Sequence, residues 1–329
     1  MKISTKELIV TRCPVPTATS LALDLGILNK ELQKSNYQAT ELTNIENADL
    51  HRAHFNHVLP FLVREGGNIP ALWARSAGEK TKLIGLSWVD EYQAVITLSG
   101  SALDHPLALR GRKIGIPRHR YLEIDFRAAQ ALRGVSNALS LARLTFDDVT
   151  LVDLEATNVE RKDSWNREIE ALQNGEVDAV FVKGATGLQV VRELGLQEIV
   201  ELGFHPDPLV RVNNGIPRTL TIDAALAKEK EILHHLLDSL TQAAEWAESK
   251  PEDFIRVITL ETGADSQYVK EAYRIRKLGP TLEKEFLHAL ASQAEFLYKQ
   301  GILPKPVDIF DWADFLPLNN LLTKGETKL

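Results

Sequence analysis

Cys13, His54 and Arg64 are the residues of this chain whose types and neighbours suit nucleophilic and acid–base chemistry. Cys13 is the one cysteine among 329 residues and stands in Thr11-Arg12-Cys13-Pro14-Val15-Pro16, directly after the apolar run Leu8-Ile9-Val10. A thiol there falls at the carboxyl end of a first strand, where α/β proteins open their ligand crevice. The prolines stop the strand and seed a helix, and a sulfur beside a helix N-terminus is favoured as thiolate, its nucleophilic form. His54-Phe55 follows, and ten residues after His54 comes Arg64-Glu65-Gly66-Gly67-Asn68-Ile69-Pro70. An imidazole that titrates near neutrality can exchange a proton with the thiol or orient a substrate oxygen. Arg64 offers a planar fork for two oxygens of a carboxylate, sulfinate or sulfonate. Gly66 and Gly67, ahead of a proline-started helix, can present backbone N–H groups to the same anion. Each residue alone has a plainer reading: a small buried hydrophobe, a hydrogen-bonded core histidine, an arginine beside a glycine turn. Together they favour chemistry.

These groups need a scaffold, and the pattern predicts one. Short β-like runs alternate with longer helical stretches, which points to an α/β fold with mixed, mostly parallel sheets. The strand candidates are Leu8–Thr11, Leu83–Leu86, Ala94–Leu98, Lys113–Ile116, Val149–Val152, Asp178–Val182 and Ile199–Leu202. Helices are expected near Pro16–Leu25, Pro70–Ala77, Ile124–Ala142, Trp165–Gln173 and Thr186–Leu194. Beyond residue 220 the chain turns helical: Leu226, Leu233, Leu237, Leu240, Ala244 and Ala247 recur at helical spacing, and Leu282, Phe286, Leu290, Ala294 and Leu297 do so again before Gly301. Both stripes read as core. Ser99-Gly100-Ser101 and Gly203-Phe204-His205-Pro206 mark two crossings. They divide the chain into a discontinuous first lobe, residues 1–98 and 204–329, and an inserted α/β lobe, 99–203, with a ligand expected in the cleft of the resulting clamshell.

The totals exclude several classes. Thirty-eight basic against 45 acidic residues give a net charge of −7 with no cationic block, so nucleic acid is not an expected partner. A single cysteine rules out an internal disulfide. No apolar stretch reaches the ~20 residues of a membrane span, and the N-terminus lacks a secretory pattern, so a cytoplasmic protein without membrane association is expected. No exposed heptad or long apolar seam calls for assembly, and a monomer is expected. His51, His54 and His57 raise the question of a metal. On a helix they fan over about 120°, too wide for one ion, and no CxxC or HExxH supports them, so no metal is expected.

Two segments, Leu107-Ala108-Leu109-Arg110-Gly111-Arg112-Lys113-Ile114-Gly115-Ile116 and Leu172-Gln173-Asn174-Gly175-Glu176-Val177-Asp178-Ala179, resemble signatures of the type II periplasmic-binding-protein fold, in its sulfonate- and thiamine-precursor-binding branch. Within that fold, Cys13-Pro14-Val15-Pro16, His54-Phe55 and Arg64-x-Gly66-Gly67-x-Ile69-Pro70 resemble the hydroxybiphenyl sulfinate desulfinase family, and Asp311-Trp312-Ala313 and Leu318-Asn319-Asn320 resemble its C-terminus. The resemblance implies cofactor-free hydrolysis of an aryl sulfinate to an arene and sulfite, with Cys13, His54 and Arg64 catalytic. It also implies that Gly67 contacts the sulfinate through its backbone and Phe55 the substrate ring. The chain departs from the family at His57, where the family has a tyrosine, and at Glu65, where it has an aromatic. It departs again in a shorter segment around Thr157–Trp165 and at Lys183-Gly184, which replaces a tryptophan-containing stretch. These changes point to a more polar site and a smaller or more charged anionic ligand. Lys183 should emerge at the end of a strand, where its ammonium can pair with a substrate carboxylate or phenolate, or stay solvated.

Two routes to C–S cleavage fit these residues. In one, the Cys13 thiolate attacks sulfur and water hydrolyses the sulfur–sulfur intermediate; in the other, the thiol protonates the ring carbon and sulfur dioxide departs to become sulfite. Arg64, Gly66 and Gly67 hold the sulfinate oxygens in both, and His54 tunes the thiol. The chief alternative is a non-catalytic substrate-binding protein of an ABC-type transporter for sulfonate-like or nitrogenous small molecules, since fold does not fix function. A third is another cysteine enzyme on this scaffold. Its pyrimidine-forming branch should carry a histidine- and cysteine-rich iron site, which this sequence lacks.

Overall fold

The structure, a computed structural model, describes residues 6–326 apart from Pro14, Asn47, 120–122 and 156–164. Residues 1–5, Pro14 and most of the shortened segment near Thr157 therefore lie outside the described residues. The chain divides into two compact units. The first comprises Met1–Val89, Asn214–Ile258 and Ile275–Leu329, and the second Asp90–Asn213 and Thr259–Arg274.

Eleven strands are described: β1 (Lys6–Val10), β2 (Tyr37–Glu41), β3 (Leu62–Gly66), β4 (Thr81–Glu91), β5 (Gln93–Thr97), β6 (Lys113–Arg118), β7 (Thr150–Glu155), β8 (Ala179–Lys183), β9 (Gln197–Glu201), β10 (Arg218–Asp223) and β11 (Tyr273–Thr281). They form a six-stranded sheet in the order β11-β4-β10-β3-β1-β2 and a five-stranded sheet in the order β7-β6-β8-β5-β9. Both sheets are mixed. Where helical crossovers join the strands the pairing is parallel, as between β1 and both β2 and β3, and between β6 and both β7 and β8. β10 runs antiparallel to β3 and β4, and β5 antiparallel to β8 and β9. Two mixed sheets with helices between their strands are the α/β class that the sequence predicts.

The site elements form for local reasons. In β1, Leu8 and Val10 are fully buried while Glu7 is exposed, the alternation of a strand with one face on the core. The helix Ala18–Asp24 starts where Thr17 takes an extended conformation and its hydroxyl accepts from Ser20 N–H. Its buried side, Ala18, Thr19, Ser20, Leu21 and Ala22, is made of small residues around one leucine, which lets the helix lie close against the long helix Lys230–Ser249. Burying a leucine such as Leu21 contributes about 1.5–3 kcal/mol. The short helix Ala53–Asn56 is planted by Ala53, which joins Leu42 and Leu62 in a small apolar cluster beneath it. His54 and Phe55 are thereby turned outward, both half-buried.

Four strands escape the sequence pattern. β2 (YQATE) and β11 (YRIRKLGPT) sit at sheet edges and carry the polar faces that edges tolerate. β3 and β10 contain the charged Arg64, Glu65 and Arg218, all fully or nearly fully buried, so their runs do not read as apolar. The helix that carries the first C-terminal stripe ends at Ser249, and Pro251 opens a new helix, Pro251–Thr262, at the position proline favours. Gly301 has φ +68°, as a residue just past the helix Lys284–Lys299 should. Among the described residues no helix is long and apolar enough to cross a membrane.

Candidate active site

β1 and β3 run side by side, and their carboxyl ends bring the expected residues together in the first unit. Thr11 N–H donates to Val63 O at 3.0 Å, which extends the β1–β3 register past the strand and lays Cys13 over Gly66. The contact is tight: a Cβ at residue 66 would fall on the Cys13 sulfur, and Arg64 Nη2 lies 3.9 Å from the same point. Gly66 also has φ +156°, so glycine is required there on both counts. The Cys13 sulfur is 3.8 Å from His54 Nε2, at the outer limit for a hydrogen bond to sulfur. Cys13 is 4% exposed and Arg64 1%, so sulfur and guanidinium form the floor of the site, with half-buried His54 and Phe55 beside them. The His54 and Phe55 rings meet edge to face at 4.9 Å.

Arg64 is built in rather than displayed. Its Nε donates to His54 O at 2.9 Å and Nη1 to Gly67 O at 2.8 Å, so one guanidinium ties the histidine helix to the glycine turn. Burial lowers its pKa, and the electrostatic interaction with the Cys13 sulfur acts in the opposite direction. Gly67 caps the helix Asn68–Ala77 with φ −52° and has no room for a side chain because the Asn214 amide lies against it. Asn214 Oδ1 accepts from Ile69 N–H at 3.2 Å, so one of the helix's N-terminal donors is already used. The helix begins two residues before Pro70, which sits inside its first turn rather than at its start.

His51, His54 and His57 turn to separate partners: His51 to Ile45 O at 2.9 Å, His54 to Cys13, and His57 to Thr221 Oγ1 at 3.0 Å. Fully enclosed and close to the Arg64 charge, His57 is pushed down to about 3, so it is neutral at ordinary pH. Thr221 in turn approaches Arg64 O at 3.4 Å. Glu65 points to the opposite face of β3 from Arg64 and Gly66, since strand neighbours alternate. It is buried and accepts from Thr19 N–H at 2.8 Å, Thr19 Oγ1 at 2.7 Å and Ser87 Oγ at 3.1 Å. Burial raises its pKa against those bonds and the Arg218 charge. His57 and Glu65 are thus interior struts, not polar lining, and the expectation of a more polar site gains nothing from either.

The structure therefore brings Cys13, His54, Phe55, Arg64, Gly66 and Gly67 together in one unit. Lys183 belongs to the other, at the end of β8, where it forms an ion pair with buried Glu91. Asn214, Thr221 and Thr19 were invisible to sequence reasoning because they reach the site through contacts distant in the chain, the first two from about 145 residues or more beyond the residues they touch. The C-terminal Trp312 is fully buried and donates to Thr81 Oγ1 at 3.1 Å, closing the end of the chain onto β4.

No protein-family model matches the chain. It is 24% identical over 356 aligned positions to the 2′-hydroxybiphenyl-2-sulfinate desulfinases of Rhodococcus erythropolis and Rhodococcus qingshengii, covering 95% of this chain and 93% of each relative. Among solved structures, a mutant of the desulfurization enzyme DszB in complex with biphenyl-2-sulfinic acid matches with a TM-score of 0.78 and 22% identity over 97% of this chain and 99% of that one. The periplasmic aliphatic sulphonate binding protein SsuA from Escherichia coli matches with a TM-score of 0.69 and 15% identity over 94% of this chain and 92% of that one. The chain is thus similar along nearly its whole length to the 2′-hydroxybiphenyl-2-sulfinate desulfinases, and its fold is that of DszB and the periplasmic sulfonate-binding proteins.

Proposed function

We propose that this protein is a cofactor-independent desulfinase-like hydrolase that cleaves the C–S bond of a small, aromatic sulfinate. The overall change is R–SO2⁻ + H2O → R–H + HSO3⁻, which balances without an oxidant or reductant. The observation that carries the reading is the meeting of one thiol, one imidazole and one guanidinium over Gly66, in a chain similar throughout to sulfinate desulfinases. Arg64 holds sulfinate charge, and the backbone N–H groups at Gly66 and Gly67 take its oxygens. Cys13 attacks sulfur or delivers the proton to carbon, His54 governs the thiol proton, and Phe55 packs against the substrate's ring. Lys183, paired with Glu91, is given no part.

Likeness to sulfonate-binding proteins supports a second reading, a carrier that binds the anion without cutting it. A sulfite-release assay across aryl and alkyl sulfinates, run beside a thermal-shift screen of the matching sulfonates, separates the two. Catalytic sulfite release supports the hydrolase. Strong stabilisation by sulfonates with no release from any sulfinate favours the carrier and overturns the proposal.

A further inference from the structure

The Cys13 segment is fastened at both ends to one strand, at Val63 and at Glu65 two residues further along. Upstream, Thr11 N–H donates to Val63 O at 3.0 Å; downstream, Thr19 N–H and Oγ1 donate to one Glu65 carboxylate oxygen at 2.8 and 2.7 Å. Within the segment, Val15 N–H closes a turn on Cys13 O at 2.8 Å, and Arg12 makes a two-pronged ion pair with Asp24 at the far end of the same helix. Thr19 lies in the first turn of the helix Ala18–Asp24, so the carboxylate satisfies that helix end and joins it to β3. The other Glu65 oxygen accepts from Ser87 Oγ on β4 at 3.1 Å. An apolar side chain would fill this interior position without the desolvation cost of a carboxylate. What a carboxylate adds is direction. It fixes where the helix begins relative to Arg64 and Gly66, its two neighbours on the opposite face of β3.

We propose that Glu65 is the positioning residue for the Cys13 thiol, setting the sulfur's place over Gly66 and beside His54 by clamping the start of the helix Ala18–Asp24 to the back of β3. Two features make the sulfur sensitive to this clamp. Its contact with Gly66 leaves no slack, and its 3.8 Å approach to His54 is lost by a displacement of a few tenths of an ångström. The inference takes the importance of the thiol from the proposed function, but its test does not use turnover, so a protein that released no sulfite would leave it standing.

The test is the pH–rate profile for alkylation of Cys13 by iodoacetamide, read by mass spectrometry. With one cysteine in the chain the label has a single destination. In Glu65→Ala the midpoint of the profile rises by about one unit, the size of one lost charge contact around the sulfur. In Glu65→Gln, whose carbonyl can still accept from Thr19 while its amide donates to Ser87 Oγ, the midpoint returns to the wild-type value. A folded Glu65→Ala protein that melts lower but keeps the wild-type midpoint would show a purely structural role and overturn the proposal. Should Glu65→Ala fail to fold, Thr19→Val removes one donor to the carboxylate and is read the same way: a raised midpoint supports the clamp, and an unmoved one overturns it.

Discussion

At Gly66 a single hydrogen in place of a side chain lets the Cys13 sulfur rest on the backbone of β3. Gly66→Ala would drive a methyl group into that sulfur at a backbone angle, φ +156°, that side chains rarely adopt. We expect a loss of about 1–3 kcal/mol in urea unfolding, the cost of one strained residue, together with a change in Cys13 alkylation rate. An unchanged rate would mean the sulfur does not sit there. His57 behaves differently, because its effect depends on pH. Its pKa is lowered from 6.5 to about 3 in the folded protein, so above pH 6.5 the ring is neutral in both folded and unfolded chains and contributes no pH dependence. Between 6.5 and about 3 the unfolded chain takes up a proton that the folded chain refuses, and stability falls by about 1.4 kcal/mol per pH unit. His57→Gln should flatten the stability–pH curve by about one proton across that window in denaturation at stepped pH, and an acid limb of unchanged slope would contradict the buried neutral ring.

The elements that hold these residues were only partly legible in the chain. The apolar run Leu8-Ile9-Val10 and the proline-rich sequence after it placed Cys13 at a strand end, and the two-glycine turn marked the start of the helix Asn68–Ala77. Local signals found these because an apolar run, prolines and a glycine pair act on their own chain neighbours. β3 and β10 stayed hidden since Arg64, Glu65 and Arg218 are buried through pairings that only the folded sheet supplies. The return of Thr259–Arg274 to the second unit likewise has no local signature. Asn214 is the clearest case. It caps a helix that begins 146 residues earlier in the chain, a contact no spacing rule reports. Asn214→Ala should cost about 1 kcal/mol in urea unfolding, as lost helix caps do, and leave Ile69 N–H without its acceptor. A stability equal to wild type would show that this cap is not used.

For the molecule as a whole, a fold shared by sulfonate-binding proteins and the desulfurization enzyme DszB leaves the choice between holding an anion and cutting it to a few side chains. In the proposed function the anion is held by Arg64 and the glycine turn of the first unit, and the buried Arg64 charge stands in a chain whose net charge is −7. On the proposed function, holding needs only these, and cutting needs the Cys13 sulfur. The deciding measurement is therefore sulfite release by wild type and by Cys13→Ser on whichever aryl sulfinate the wild type turns over, with the melting temperature of both proteins taken alongside. The serine variant is expected to fold as the wild type does and to release sulfite about a thousandfold more slowly or not at all. A folded serine variant that releases sulfite at the wild-type rate would contradict it.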